Sequence, residues 1–241
     1  MASKVRLFVD HPLGEGQSVP LSRDQSLYLF SVMRLSVGTV LSLINGRDGE
    51  WDATVAQAGK KNGVVVCQAQ TAPLTLPPDL TLLFAPVRKD RTAMIVEKAV
   101  ELGVRRIVPV QTDFTNGADR LRQDKMQAQV TEAAEQCGAT YVPDVAALTA
   151  LGDVLDDWDA SRQLVFCDET LTGRSSSLAG RLATSGAILI GPEGGFSDKE
   201  RMRLRDMDAA VSISLGPRIL RAETAAIAAL TLWQHHVGDW Q

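Results

Sequence analysis

The sequence of 241 residues predicts an α/β protein with a parallel sheet, preceded by a smaller domain of short strands. From about residue 80 onwards, apolar runs of strand length alternate with helical patterns, which is typical of a parallel sheet with helices on both faces. Before residue 72, several short strand patterns surround one helical pattern, as in a small β-barrel. Pro73, Pro77 and Pro78 lie between these regions and resist both helix and central strand. We therefore predict two domains, residues 1–72 and 73–241.

The first domain is predicted from runs with the side-chain alternation of strands. These runs occupy residues 5–9, 40–44, 51–55 and 64–67, and the glycine-containing segment 45–49 is typical of a hairpin turn. Residues 27–35 have the apolar spacing of a helix.

The second domain is predicted from elements that alternate along the chain. Apolar strand patterns lie at residues 80–85, 107–110, 164–167, 187–190 and 211–215. Helical patterns lie at residues 92–102, 121–137, 175–183, 198–207 and 222–236. The last helix is rich in alanine, which permits close approach of another backbone.

The composition excludes several classes of protein. No apolar run approaches the ~20 residues that span a bilayer, and the first residues lack the apolar core of a signal peptide. We therefore expect a cytoplasmic protein with no membrane partner. Cys67, Cys137 and Cys167 are odd in number and widely spaced, which favours reduced thiols, and we expect no metal. The net charge of −4 gives no support for RNA binding, which would have to come from local basic patches.

Each of the last two predicted strands ends in a Gly-Pro turn that leads towards a helix. The first loop is residues 191–197 (GPEGGFS) and the second is residues 216–225 (GPRILRAETA). Ligands of parallel sheets bind at the C-terminal ends of strands, and glycines let a ligand approach the backbone closely. We therefore predict that both loops line one small-molecule pocket, although each turn alone could be purely structural. Neither loop contains a GxGxxG or P-loop motif, so dinucleotide and P-loop sites lose support.

The pair of loops resembles the RsmE family of SPOUT methyltransferases. This resemblance implies that the protein uses S-adenosylmethionine to methylate N3 of a uridine in small-subunit (16S) ribosomal RNA. It implies a PUA-like first domain that binds RNA, and a second domain of SPOUT type whose C-terminal trefoil knot forms the cofactor pocket. It also implies a homodimer that acts on the RNA within the assembled small subunit.

The resemblance assigns cofactor binding to residues of both loops. They are Ile190, Gly191, Glu193, Gly194, Gly195, Leu215, Gly216, Ile219, Leu220 and Ala225. Uridine N3 must lose a proton, so we expect a general base or a charge-stabilising cation nearby. Arg221 is the predicted cation and Glu223 the second predicted catalytic residue. Alternatively, the Glu223 carboxylate only stabilises the dipole at the start of a helix.

Five basic residues are candidates for RNA contact by the same resemblance. They are Arg6, Arg34, Arg88, Lys89 and Arg91. For Arg6 and Arg34 the alternative is a solvated side chain lying over an apolar face. Phe114 and Ala139 stand where the family often has arginine or a similar polar residue, so the substrate could be another rRNA or a tRNA nucleotide. A further alternative is a non-catalytic RNA-binding protein of ribosome assembly.

Overall fold

The computed structural model describes residues 5–116, 121–173 and 180–240. By its contacts the chain forms two compact units. The first contains the residues up to Leu76 together with Ala134–Val142, and the second contains Pro77–Ala133 and the residues from Pro143 onwards. Among the described residues, no helix is both long enough and apolar enough to cross a bilayer.

The first unit is built on a five-stranded sheet. Its strands are β1 (Arg6–Phe8), β2 (Ser18–Pro20), β3 (Val40–Ile44), β4 (Glu50–Gln57) and β5 (Val64–Ala72). The order across the sheet is β1-β3-β4-β5-β2, with β1 parallel to β3 and the other neighbours antiparallel. Leu7, Val19, Leu41 and Val65 point into one buried cluster. The two edge strands, β1 and β2, are not neighbours, so the sheet is an open form of the predicted barrel.

The helical segment of this unit differs from its prediction at both ends. Helix α1 (Arg23–Leu27) begins earlier than residue 27, because Ser22 and Gln25 form a capping box. A π-helical turn continues it over Tyr28–Val32. Arg34 then adopts a φ of 56°, a left-handed conformation that few residues other than glycine take. The helix therefore ends before residue 35.

The second unit confirms the predicted parallel α/β architecture. Its strands are β6 (Asp79–Phe84), β7 (Arg106–Gln111), β8 (Asp144–Val145), β9 (Thr149–Ala150), β10 (Gln163–Cys167), β11 (Ser185–Ile190) and β12 (Ala210–Ile213). The order is β12-β10-β11-β6-β7-β8, β9 pairs with β7, and every pairing is parallel. The loops that follow β11 and β12 therefore lie on either side of the turn that follows β10.

The helices that accompany this sheet lie close to their predicted positions. They are α2 (Lys89–Glu101), α3 (Gln123–Cys137), α4 (Leu151–Asp156), α5 (Asp198–Asp206) and α6 (Ala222–Val237). The short helix α4 was not predicted, and most of the predicted helix 175–183 lies outside the described residues. Helix α5 starts at a capping box of Ser197 and Glu200, which ends the first Gly-Pro loop. Helix α6 packs on β11 and α2, bringing its N-terminus beside both loops.

Candidate active site

The two Gly-Pro loops line one cavity of about 230 Å³, which here is called the loop cavity. The first loop contributes Gly191, Pro192, Glu193 and Gly195, and the second contributes Ile219, Leu220 and Arg221. The other residues that line the loop cavity are Ile190, Ala222, Ala225, Cys167 and Glu169. The predicted shared pocket is therefore present in the fold.

Most of the predicted cofactor residues line this cavity, and three do not. Leu215 lines a smaller cavity of about 60 Å³, which shares Ile219, Leu220 and Ala225 with the loop cavity. Gly194 and Gly216 line neither cavity. Gly216 has a φ of 111°, so the backbone conformation of the second loop requires glycine there.

Cys167 and Glu169 were missed because they belong to neither Gly-Pro loop. Cys167 is the last residue of β10 and Glu169 follows this strand, which lies between β11 and β12 in the sheet. The strand at residues 164–167 was predicted, but only the strand order shows that its end reaches the cavity. Burial raises the pKa of the Cys167 thiol to about 12, so this thiol stays protonated at neutral pH and is not a nucleophile.

The first loop is held in place by Glu169. Its Oε1 accepts hydrogen bonds from Arg201 Nη1 at 2.7 Å and from the backbone N of Phe196 at 3.4 Å. Gly195 has a φ of 71°, and a Cβ there would collide with the same carboxylate oxygen. Glycine at 195 therefore satisfies both a backbone and a steric requirement.

Phe196 anchors the same loop in the hydrophobic core. Its fully buried ring packs edge-to-face on Phe166, with the ring centroids 5.0 Å apart. A Cβ on Gly191 would lie 2.6 Å from the Phe196 ring, so glycine at 191 makes room for this aromatic side chain. The conformation of the loop thus depends on the core beneath it.

An arginine from α2 joins the carboxylates of the two loops. Arg91 Nη1 lies 2.6 Å from Glu193 Oε1, and Arg91 Nε lies 3.6 Å from Glu223 Oε1. The Glu223 side chain is 13% exposed, and its Oε2 is buried without a hydrogen-bond partner among the described residues. Arg91, predicted to contact RNA, is therefore placed between the predicted catalytic Glu223 and the loop carboxylate. Arg221 is exposed and precedes α6 as its N-cap residue.

The other predicted RNA contacts differ in their surroundings. Arg88 and Lys89 are exposed and line a second cavity of about 770 Å³, which shares Pro192 and Glu193 with the loop cavity. Arg34 is also exposed. Arg6 is instead 14% exposed, and its guanidinium pairs with Glu50 and donates to backbone carbonyls in the segment 134–142. One of these acceptors is the carbonyl of Ala139. The structure thus gives Arg6 a structural role.

The loop cavity has the groups that a partly apolar, cationic ligand requires. Ile190, Ile219 and Leu220 present apolar surface, the glycines present the backbone, and Glu169 and Glu193 present carboxylates. In the described part of the chain, no group of three or more His, Cys, Asp or Glu side chains is arranged around a metal position.

The chain matches two models of protein families. Residues 75–234 match the RNA methyltransferase domain, and residues 21–66 match the RNA methyltransferase PUA domain. Ribosomal RNA small subunit methyltransferase E of Rickettsia conorii is 31% identical over 232 residues, which cover 93% of each chain. The protein of the same name from Bacillus subtilis is 25% identical over 232 residues, which cover 90% of each chain.

Two solved structures resemble the whole chain. Ribosomal RNA small subunit methyltransferase E from Neisseria gonorrhoeae, bound to S-adenosyl methionine, has a TM-score of 0.88 at 25% identity. A Legionella pneumophila protein in complex with the bound cofactor SAM has a TM-score of 0.87 at 27% identity. Each match covers 99% of this chain and 100% of the other. The chain therefore belongs to the RNA methyltransferase family that includes ribosomal RNA small subunit methyltransferase E.

Proposed function

We propose that the protein transfers a methyl group from S-adenosylmethionine to N3 of a uridine in 16S ribosomal RNA of the small subunit. One observation carries this proposal: both Gly-Pro loops line the same cavity, and the buried Glu223 carboxylate lies at the N-terminus of α6, which also contributes to that cavity. The family and its relatives support the reaction class, and the uridine N3 position rests on the resemblance of the paired loops.

The loop cavity suits S-adenosylmethionine in its chemistry. Ile190, Ile219 and Leu220 would pack on the adenine, and backbone groups of the glycine-rich loops would bond its polar edge. The Glu169 and Glu193 carboxylates, which are paired with Arg201 and Arg91, would accept hydrogen bonds from its ribose hydroxyls or its ammonium group. When bound, S-adenosylmethionine supplies an activated methyl group, whose bond to sulfur breaks as the bond to N3 forms.

The residues of the chain then have to remove the N3 proton and position the uridine. Glu223 Oε2 is buried, lines neither the loop cavity nor the cavity of about 770 Å³, and has no hydrogen-bond partner among the described residues. It would accept this proton once the uridine reaches the start of α6. Arg91 lies 3.6 Å from the other Glu223 oxygen and keeps the carboxylate oriented. Arg221, exposed at the rim of the loop cavity, would stabilise the negative charge that develops on the uridine oxygens.

The remaining parts of the proposal come from the family resemblance. The first domain, residues 1–72, would bind RNA through its PUA-like sheet, and residues 73–241 would carry out methyl transfer. Threading of α6 through a trefoil knot would shape the cofactor pocket. The protein would act as a homodimer, in the cytoplasm, on the assembled small subunit.

The test is methyl transfer to small ribosomal subunits from a strain that lacks its own methyltransferase E. Labelled S-adenosylmethionine measures the transfer, and primer extension locates it, because a methyl group on N3 blocks base pairing. We expect one modified uridine in 16S RNA. For Glu223→Gln we expect kcat to fall by about 100-fold or more, because the general base is lost.

Glu132→Gln is the matched control, since Glu132 is an exposed carboxylate on α3, and we expect it to retain full activity. Labelling of tRNA or of another rRNA nucleotide would contradict the proposed substrate and favour the alternative that the departures at Phe114 and Ala139 leave open. Full activity of Glu223→Gln would contradict its role as the base.

A further inference from the structure

The larger cavity, of about 770 Å³, combines an aromatic ring with a basic rim. It is lined by the start of α2, the turn after β7, the first half of α3 and the first Gly-Pro loop. Its cations are Arg88, Lys89, Arg122 and Lys125, and its aromatic residue is Phe114. It meets the loop cavity at Pro192 and Glu193. A ligand in this cavity would therefore lie next to the proposed methyl donor.

Phe114 is exposed although the turn that carries it is firmly held. Its side chain is 47% exposed. Within the turn, the Thr112 backbone N donates to Thr115 Oγ1 at 2.9 Å, and the Thr115 backbone N donates to the Thr112 carbonyl at 3.1 Å. A single exposed aromatic residue is ordinary on a protein surface, but this one lines a cavity with a basic rim.

Further bonds fix this turn against the first Gly-Pro loop. The Asp113 backbone N donates to Glu200 Oε1 at 2.9 Å, and the Asp113 carboxylate accepts from Ser197 Oγ at 2.5 Å. A Cβ on Gly194 would lie 3.2 Å from the Phe114 Cβ. The backbone of Phe114 therefore has a defined position beside the first Gly-Pro loop, which lines the loop cavity.

The charges around the ring favour an anion with a flat, uncharged part. Arg88, Lys89 and Lys125 are exposed, in a chain whose net charge is −4. Arg122 is partly neutralised by Asp124 at 2.8 Å. The acidic residue of the lining, Glu193, is paired with Arg91. Among the lining residues that the structure describes, three cations thus remain for the ligand, beside one aromatic face.

We propose that Phe114 is a stacking platform for a base of the substrate RNA, and that Arg88, Lys89 and Lys125 hold the adjoining phosphates. Aromatic side chains stack on bases that leave the RNA helix, and lysine and arginine bind the backbone. The arginine that the family often has near this position would supply charge, whereas Phe114 supplies an aromatic face. This inference rests on the proposed function, because it assumes that RNA is the substrate.

The test compares Phe114→Leu, which keeps apolar volume without a π system, with Phe114→Trp, which keeps an aromatic face. We expect Phe114→Leu to raise the KM for small subunits, and the Kd for 16S RNA measured by filter binding, by about tenfold. We expect Phe114→Trp to stay within about twofold of the unchanged protein. The Kd for S-adenosylmethionine, measured by calorimetry, should not change in either variant. Met202→Ala is the control, because Met202 is 64% exposed on α5 and does not line this cavity.

Each outcome bears on one proposal only. An unchanged Kd for RNA in Phe114→Leu would overturn the stacking role, as would an equal loss in Phe114→Trp. Failure of the unchanged protein to bind S-adenosylmethionine or to methylate subunits would overturn the proposed function. The filter-binding comparison does not depend on turnover, so it still decides the role of Phe114 in that case.

Discussion

Asp168 is a buried carboxylate that directly follows β10, beside the turn that reaches the loop cavity. Burial by itself raises the pKa of this group. Hydrogen bonds from Arg205 and from Thr170 outweigh burial, so the net pKa lies below the ordinary value of 3.8. A carboxyl group with a lowered pKa stabilises the folded state above its unfolded pKa. This contribution is lost as the pH falls through the lower, folded pKa.

Removal of Arg205 should therefore destabilise the protein in a manner that depends on pH. We expect Arg205→Ala to lower the free energy of unfolding by about 2 kcal/mol at pH 7, because a buried carboxylate loses its main partner while Thr170 remains. The loss is smaller than for a fully buried pair, since the Arg205 side chain is half exposed. Urea unfolding from pH 7 to pH 3 should show the difference shrink below about pH 4.

Arg203→Ala is the control on the same helix. Arg203 pairs with the exposed Asp156, so its removal should cost less than about 1 kcal/mol. If the loss of unfolding free energy in Arg205→Ala stayed constant down to pH 3, the effect would come from packing of the arginine and not from its pairing with Asp168.

The single residues of the site differ in how far the sequence reveals them. Gly191 and Gly195 lie in a contiguous sequence motif, and the structure shows a steric reason for glycine at each position. Glu169 carries no such signal, because it reaches the cavity only through the position of β10 between β11 and β12. Arg91 was visible as part of a basic turn, but its pairing with Glu193 and Glu223 depends on the packing of α2 against α6.

At the scale of elements, the turn after β10 and helix α5 together clamp the first Gly-Pro loop. Glu169 belongs to the turn, Arg201 to the helix, and their ion pair at 2.7 Å lies against Gly195 and Phe196. Glu169 also lines the loop cavity itself. The clamp therefore fixes the shape of this wall of the loop cavity before any ligand binds, and this lowers the entropic cost of binding there.

Loss of the clamp should weaken binding of the methyl donor. We expect Glu169→Ala to raise the Kd for S-adenosylmethionine by about tenfold, because the loop must then be ordered on binding and a carboxylate of the cavity wall is lost. Glu169→Gln keeps an acceptor oxygen, so its Kd for S-adenosylmethionine should rise less. Calorimetry gives the Kd, and kcat at saturating S-adenosylmethionine should stay within about twofold, because Glu223 is untouched.

Asp198→Asn provides the matched control for this clamp. Asp198 pairs with the same Arg201 at 3.3 Å, but it is almost fully exposed and lies on the solvent side. Its replacement should leave the Kd unchanged. An equal effect of Asp198→Asn and Glu169→Ala would mean that Arg201 acts through general charge, not through the loop.

Element boundaries show which local signals the sequence carries. The five longer strands of the second unit were predicted to within two residues at each end, since buried parallel strands are continuous apolar runs. The two-residue strands β8 and β9 were not predicted. Helix α1 was placed too late because the capping box at Ser22 and Gln25 precedes its apolar residues. The π-helical turn at Tyr28–Val32 and the three-residue strand β2 depend on tertiary packing and have no comparable pattern.

At the scale of the whole molecule, the alternation of elements predicted a parallel sheet but not its strand order. The order decides which loops meet, and it arises from packing across distant parts of the chain. The same holds for residues 134–142, which group with the N-terminal sheet although they comprise the last turn of α3 and the segment that follows it. No composition change marks this segment, so the predicted division into residues 1–72 and 73–241 could not include it.

Arg6 ties this distant segment to the N-terminal sheet, and it provides the last prediction. Its guanidinium pairs with Glu50 at 2.7 Å and donates to the carbonyls of Ala134, Glu135 and Ala139 at 2.8 to 3.1 Å. The carbonyls of Ala134 and Glu135 belong to the last turn of α3. Carbonyls in the last turn of a helix have no partner within the helix, and the helix dipole attracts cations to this end. We expect Arg6→Ala to lower the free energy of unfolding by about 3 kcal/mol, measured by urea denaturation.

Arg6→Lys separates this structural role from the RNA contact that the sequence suggested. A lysine keeps the positive charge but cannot reproduce the planar fork that bonds Glu50 and several carbonyls at once. If Arg6 acts within the fold, the lysine variant should lose about half of the same stability while its Kd for 16S RNA stays unchanged. If Arg6 also contacts RNA, Arg6→Ala should in addition bind RNA more weakly, with a smaller dependence on salt. The Kd for RNA therefore tests the predicted RNA contact, and the free energy of unfolding tests the role of Arg6 within the fold.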